Sequence, residues 1–253
     1  MTLSKSNIQQ LINEALAEKY AYSEIQGRFE AENAANYGQR MPEWVPDYKL
    51  VYELILDAIG PAVTENGRIA DLGAGTGRLA RRVLERYPTV QMTLVDFSAN
   101  MLSASLTNLA DYEEQVERIT ADFHTPTFNL PSGQHDAIVS AFAICHGQHE
   151  SDYRNLYQRA ASWLKPGGIF INFDHILGGS EHFTMLNAAG WAELMAPSFT
   201  EAQIEWAVKS TYQEDSPLSL WKHMQLMDEA GLTAVDVLWK KHIFAIYAGV
   251  KPS

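Results

Sequence analysis

Apolar residues recur at three- and four-residue spacing through residues 5–34, where Ile8, Leu11, Ile12, Ala15, Leu16 and Tyr20 share one face. That is the period of an amphipathic helix. Residues 36–46 lose the period. Tyr37, Gly38, Arg40, Pro42, Trp44 and Pro46 fall there, and closely spaced prolines stop helix growth. Large aromatics in an irregular segment predict a stretch that packs over something. A helix resumes over 47–60, with Tyr48, Val51, Tyr52, Leu54 and Ile55 for its buried face and an end near Gly60.

From residue 68 short apolar runs alternate with helical patterns, the signature of a mostly parallel sheet with helices on both faces. Strands are predicted at 69–72, 91–96, 116–120, 137–141 and 169–173, with helices at 78–86, 98–109 and 151–164. Lys165-Pro166-Gly167-Gly168 reads as the turn that ends the last of these helices. Residues 176–215 interrupt the alternation with two or three helical patterns rich in Met185, Trp191, Met195, Phe199 and Trp206. After a helix at 218–230, two β-rich runs at 235–239 and 243–250 close the chain. The gap between them is too short for a crossover helix, so this last pair is predicted antiparallel.

Length and composition narrow the class. A chain of 253 residues buries enough surface to fold without disulfide staples, and its single cysteine, Cys145, cannot form an internal one. No signal-peptide pattern and no bilayer-length apolar run is present, so a soluble cytoplasmic protein is expected, with no membrane partner. The formal net charge is −12. Such a surface repels polyanions, and no dense Lys/Arg cluster opposes it, which argues against nucleic acid as a partner. A homodimer is left open.

The chemistry gathers around Arg68–Ala80, a short strand ending near Asp71, a glycine turn at Gly73, Gly75 and Gly77, and a helix beginning near Arg78. Glycines there let backbone approach a ligand closely, at a helix N-terminus. The spacing is Gly-x-Gly-x-Gly, and Arg78 stands where the dinucleotide fingerprint wants glycine or alanine. A P-loop is excluded, since no Gly-Lys-Ser/Thr follows. Asp96 closes the second strand, where a carboxylate can accept from both hydroxyls of a ribose. Asp122 and Phe123 end the third strand.

Together the runs Asp71-Leu-Gly-Ala-Gly-Thr-Gly77, Val95-Asp-Phe-Ser-Ala-Asn-Met101, Ala121-Asp122-Phe123 and Leu164-Lys-Pro-Gly-Gly168 resemble the class I S-adenosylmethionine-dependent methyltransferases. The likeness extends over about residues 47–250. In detail the chain looks like bacterial ubiquinone-biosynthesis-like or wobble-uridine-like members, through Pro46-Asp-Tyr48, Ser140-Ala-Phe-Ala-Ile-Cys-His146 and Asp215-Ser-Pro-Leu218. The resemblance implies a doubly wound, seven-stranded, mostly parallel α/β sheet with its last pair antiparallel. A helical N-terminal extension or lid would occupy 1–46. The methyltransferase domain would occupy 47–253, with a helical cap inserted at about 177–215.

The resemblance also implies roles for particular residues. Gly73, Ala74 and Gly75 would pass beneath the methionine part of S-adenosylmethionine, with Asp71 near its amino group. Asp96 would bind the ribose, Phe97 and Met101 would sandwich the adenine, and Asp122 with the Phe123 backbone would meet the adenine edge. Ser140 and Ala141 would line the reactive side, and Tyr37, Arg40 or Tyr48 would reach the methionine carboxylate. The product would be S-adenosylhomocysteine. His146 follows strand four at the edge where the methyl should point, and its side chain suits a general base; His149, Asp174 and His175 rank second. No acidic metal site or zinc spacing is present, so no metal is expected. The expected function is methyl transfer to O, N or C of a small-molecule acceptor. A tRNA-modifying methyltransferase and a non-catalytic cofactor-binding protein are the alternatives.

Overall fold

The computed structural model describes residues 4–31 and 43–253, so Tyr37 and Arg40 lie outside the described residues. Seven strands form one sheet: β1 (Arg68–Leu72), β2 (Gln91–Asp96), β3 (Val116–Thr120), β4 (His135–Ala141), β5 (Leu164–His175), β6 (Thr233–Lys241) and β7 (Phe244–Val250). Their order is β3-β2-β1-β4-β5-β7-β6. The pairs from β3 through β5 are parallel, while β7 is antiparallel to both β5 and β6.

The apolar runs form these strands because both faces of the sheet are covered. Ile69, Leu94, Val139 and Ile171 face one buried layer, and Ala70, Val95, Ile138 and Phe170 face the other. This is the two-residue alternation of a strand made visible. The order of strands reverses between β1 and β4. Register places Leu72 beside both Val95 and Ser140, so the ends of β1, β2 and β4 open onto one edge. Ligands of such sheets bind in the crevice at that reversal.

Nine helices of at least nine residues surround the sheet among the described residues: α1 (Lys5–Ala17), α2 (Tyr22–Ala31), α3 (Tyr48–Ile59), α4 (Arg78–Arg86), α5 (Ala99–Asn108), α6 (Glu150–Trp163), α7 (Glu181–Met195), α8 (Glu201–Glu214) and α9 (Leu220–Glu229). Serine and threonine caps set several starts. Ser98 accepts from the Met101 N–H, and Thr200 and Gln203 form a reciprocal capping box. The helix α1 packs on α8 and α7, and α2 rests on α5. The amino-terminal helices therefore bridge the inserted helices and the sheet domain.

Two boundaries differ from the sequence expectation. Residues 5–34 read as one helix, whereas the structure breaks it between Ala17 and Tyr22. The Tyr20 N–H donates to the Gln213 carbonyl at 3.1 Å, and the Lys19 ammonium donates to the Asp215 carbonyl. At Tyr20 a tertiary bond has taken the backbone N–H that a continuing helix would use. The run from Lys165 to Gly168 lies within β5 rather than before it. Pairing jumps from His135–Leu164 to Ala137–Ile169, with Gly167 at φ +77°, so the turn is a bulge in the strand.

Candidate active site

The glycine turn folds as it does because its backbone enters the left-handed region, at φ +72° for Gly73 and +53° for Gly75. At Gly73 a side chain is also blocked, since a Cβ would lie 2.1 Å from that of Ala143. The turn is tied to β2: the Gly73 and Ala74 N–H groups donate to the Val95 carbonyl, and the Gly75 N–H donates to Asp96 Oδ2 at 2.8 Å. The other Asp96 oxygen accepts from the Ser98 N–H at 2.9 Å. Each oxygen keeps a second lone pair. Burial pushes the Asp96 carboxyl up in pKa, and these backbone donors pull it back.

Asp71 is buried beside this turn, and one of its carboxyl oxygens has no partner. Burial, then the neighbouring Asp96 charge, push its pKa up to about 7. A buried carboxyl with an open acceptor suits a cationic donor such as an ammonium group. Asp71, Gly73, Ala74, Gly75, Asp96, Phe97, Met101, Phe123 and His146 all line one cleft. The sequence reading did not single out Tyr22, Phe29, Tyr52, Phe142 or Ala143 for that cleft, yet they line it too. Phe142 and Ala143 lie within the Ser140–His146 run, while Tyr22, Phe29 and Tyr52 carry no local motif and are brought in by long-range packing.

Other expected residues stand elsewhere. Ser140 is buried, and its hydroxyl donates to the Leu72 carbonyl at 2.7 Å; its neighbour Ala141 lines the cleft instead. Asp122 lies just outside the cleft, where its carboxylate accepts from the Tyr22 hydroxyl at 3.0 Å, the Gln26 amide at 3.3 Å and the His124 N–H at 2.8 Å. It anchors α2 over the cleft. Tyr48 lines the cleft with its hydroxyl on that of Tyr52 at 3.0 Å, and the Arg78 guanidinium sits 5.8 Å above the Tyr48 ring.

His146 ends a short 3-10 turn, Ile144–His146, directly after β4. Its Nδ1 lies 2.9 Å from Asp215 Oδ1, and His175 Nδ1 lies 2.5 Å from Asp215 Oδ2. One buried carboxylate thus lies against two imidazoles that follow β4 and end β5, hydrogen-bonded to His175 and within ion-pair distance of His146, whose Nδ1 makes no hydrogen bond of good geometry. The surrounding backbone fixes this meeting. The Ser216 N–H donates to the Cys145 carbonyl, the Tyr153 hydroxyl donates to the Cys145 and Ser216 carbonyls, and the Cys145 N–H donates to Asp174. The runs ending at His146 and beginning at Asp215, distant in sequence, are stitched together. Burial alone would lower the His146 pKa, but the Asp215 and Asp174 carboxylates outweigh it and the net shift is upward. Burial would raise Asp215, and the two imidazoles hold it far below the usual carboxylate range.

A second cavity of about 260 Å³ adjoins the cleft, with His146, Phe29 and Phe142 lining both. Trp44, Trp191, Trp206 and Phe244 add aromatic walls, and Arg28 pairs with Glu214 at its margin. His149, by contrast, is placed at the start of α6. Among the described residues Cys145, His175 and Asp215 bring donor atoms within 4.8 Å of one another. Asp215 Oδ2 is hydrogen-bonded to the His175 ring, and burial pushes the Cys145 thiol well up.

Residues 69–168 match a methyltransferase domain family. An uncharacterized methyltransferase of Mycobacterium bovis is 31% identical over 168 residues, covering 64% of this chain and 80% of the relative. Among solved structures, Haemonchus contortus phosphoethanolamine N-methyltransferase 2 with S-adenosyl-L-methionine aligns at a TM-score of 0.67 and 17% identity, over 92% of this chain and 60% of that one. Human N-acetylserotonin methyltransferase with the same cofactor aligns at 0.61 and 19%, over 98% and 67%. The chain therefore spans only part of the length of these solved proteins, and at such identities they share its fold. With its seven-stranded sheet, glycine turn and methyltransferase relatives, the chain belongs to the class I S-adenosylmethionine-dependent methyltransferases.

Proposed function

We propose that this enzyme methylates a small-molecule acceptor held in the aromatic cavity, and that His146 removes the acceptor's proton. One observation carries the reading: His146 stands where cleft and cavity meet, held by a buried carboxylate. The cleft fits the cofactor. Asp71 offers an unpartnered buried oxygen for its ammonium group, Asp96 keeps lone pairs for its ribose hydroxyls, and Gly73 leaves room that a Cβ would fill. Phe97 and Met101 offer apolar surface for the adenine. S-adenosylmethionine supplies a methyl group already activated on a positively charged sulfur.

The chain's own residues then have three tasks. The glycine turn and Asp71 hold the donor's amino-acid end, the cavity walls orient the acceptor, and the cover of α2 and aromatic side chains excludes water. Asp215 keeps the His146 ring oriented and stabilises its charged form once the proton arrives. The extension with α1 and α2, together with α7 and α8, supplies the roof that sets acceptor choice. The names of the Haemonchus and human proteins each specify a small acceptor, in keeping with this reading. A tRNA acceptor fits poorly with a net charge of −12.

An acceptor screen that follows S-adenosylhomocysteine release tests the proposal. Release should require a small molecule and should fall at least a hundredfold in His146→Ala with cofactor affinity within twofold of wild type. Full activity in that variant, or turnover with bulk tRNA alone, would overturn it.

A further inference from the structure

We propose, building on that reading, that the acceptor is an uncharged, flat aromatic molecule whose phenol-type hydroxyl receives the methyl group. The walls speak to shape. Phe29, Phe142, Trp44, Trp191, Trp206 and Phe244 surround the cavity. Several meet edge to face, Trp44 with Trp206 at 5.6 Å and Trp191 with Phe244 at 5.6 Å. Such rings present extended apolar faces, and a planar ring fills the space between them at low entropic cost.

The charges speak to neutrality. Both Glu214 oxygens meet Arg28 nitrogens, and each Asp215 oxygen meets one imidazole. Among the described residues, each carboxylate at the cavity therefore already faces a guanidinium or an imidazole. A carboxylate or phosphate on the acceptor would sit beside two carboxylates whose cations are engaged. An ammonium would have to share carboxylate oxygens that already face Arg28 or an imidazole. Either would surrender its hydration without full repayment.

The base speaks to the hydroxyl. An imidazole whose pKa is raised above its ordinary 6.5 faces a phenol near 10 with a gap of no more than about three to four powers of ten, which a positioned base can bridge. An aliphatic hydroxyl, close to water at about 15.7, leaves a gap of about nine. In the balanced step, a lone pair of the phenol oxygen forms the new O–CH₃ bond. The methyl–sulfur bond breaks with its electron pair remaining on sulfur, and the hydroxyl proton passes to the His146 ring nitrogen not engaged by Asp215.

Four probes on one ring test this: 2-naphthol, 2-naphthylmethanol, 2-naphthoate and 2-naphthylmethylamine, the last two charged at pH 7.5. Binding to protein saturated with S-adenosylhomocysteine is read by calorimetry, and turnover with S-adenosylmethionine by mass spectrometry. The two neutral probes should bind at least tenfold tighter than the two charged ones, and only 2-naphthol should gain a methyl, on oxygen. Trp206→Ala should weaken 2-naphthol binding at least fivefold while cofactor affinity stays unchanged. Equal or tighter binding of a charged probe, methylation of the aliphatic alcohol at the naphthol rate, or binding of none of the four overturns the inference. Each of those results leaves the broader proposal standing as long as another small acceptor is turned over. Failure of every small acceptor would remove both.

Discussion

Replacing Asp215 with asparagine probes the cluster most directly. The side chain keeps its size but loses its charge and one of its two acceptors. Two imidazole nitrogens, 2.9 and 2.5 Å away, each face a carboxylate oxygen in the native protein. The amide offers one oxygen and one NH₂, so one histidine must change tautomer or turn away. At 2.9 Å, Coulomb's law with an effective dielectric of about 20 gives roughly 6 kcal/mol of attraction for a charged His146, much of it offset by desolvation. Losing the part of that attraction that survives desolvation should lower the His146 pKa. Because a general base works in its neutral form, the wild-type rate should rise with pH through a value above 6.5. In Asp215→Asn that limb should move to lower pH, since burial then acts with less opposition. The maximal kcat should fall about 10²- to 10⁴-fold as the ring loses its orientation. Steady-state pH profiles for both proteins, with cofactor affinity by calorimetry as control, decide the matter. An unmoved limb with kcat within threefold of wild type would refute the argument.

The same pair ties stability to pH. Asp215, depressed in the folded state, stabilises above its unfolded value of about 3.8, and that contribution is lost as pH falls below it. His146, raised in the folded state, stabilises below about 6.5 and loses that contribution as pH rises through its folded value. Urea midpoints should therefore be best supported by this pair between about pH 4 and 6.5, and Asp215→Asn should flatten the profile there. Asp71 behaves in the opposite way, since its carboxyl is pushed up to about 7 and its ionisation works against folding. Asp71→Asn should raise the Tm of the cofactor-free protein at pH 8 yet weaken S-adenosylmethionine binding at least tenfold, about 1.4 kcal/mol; an unchanged Kd would exclude the proposed ammonium contact. Asp96→Ala should cost at least the same affinity and loosen the Gly75 turn, which calorimetry and amide exchange can follow together. Gly73→Ala, with φ +72° and a 2.1 Å approach to Ala143 Cβ, should destabilise by about 3 kcal/mol in urea unfolding. A loss under 1 kcal/mol would show that the turn relaxes freely.

The sheet and the cofactor cleft were legible in the sequence because their signals are local. Alternating apolar runs, the glycine turn and Asp96 each act within a few residues, and parallel register then carries the ends of β1, β2 and β4 to one edge. Local pattern misled where a distant partner competed for the backbone. The helix expected through residue 34 breaks near Tyr20, whose backbone N–H donates to the Gln213 carbonyl instead. Ser140 looked like a lining residue, but strand pairing turns its hydroxyl onto Leu72. The histidine after strand four was visible as a candidate base, whereas its carboxylate was only the first residue of an unexplained run. Nothing in a linear pattern says that Asp215 lies between His146 and His175, or that Phe29 reaches the same cleft from the amino-terminal helices. By itself the sequence determined where the strands lie along the chain and that the first turn brings backbone close to a ligand site. Only the tertiary structure decided which side chains enclose the aromatic cavity, because that enclosure is made by elements far apart in the chain and joined through packing.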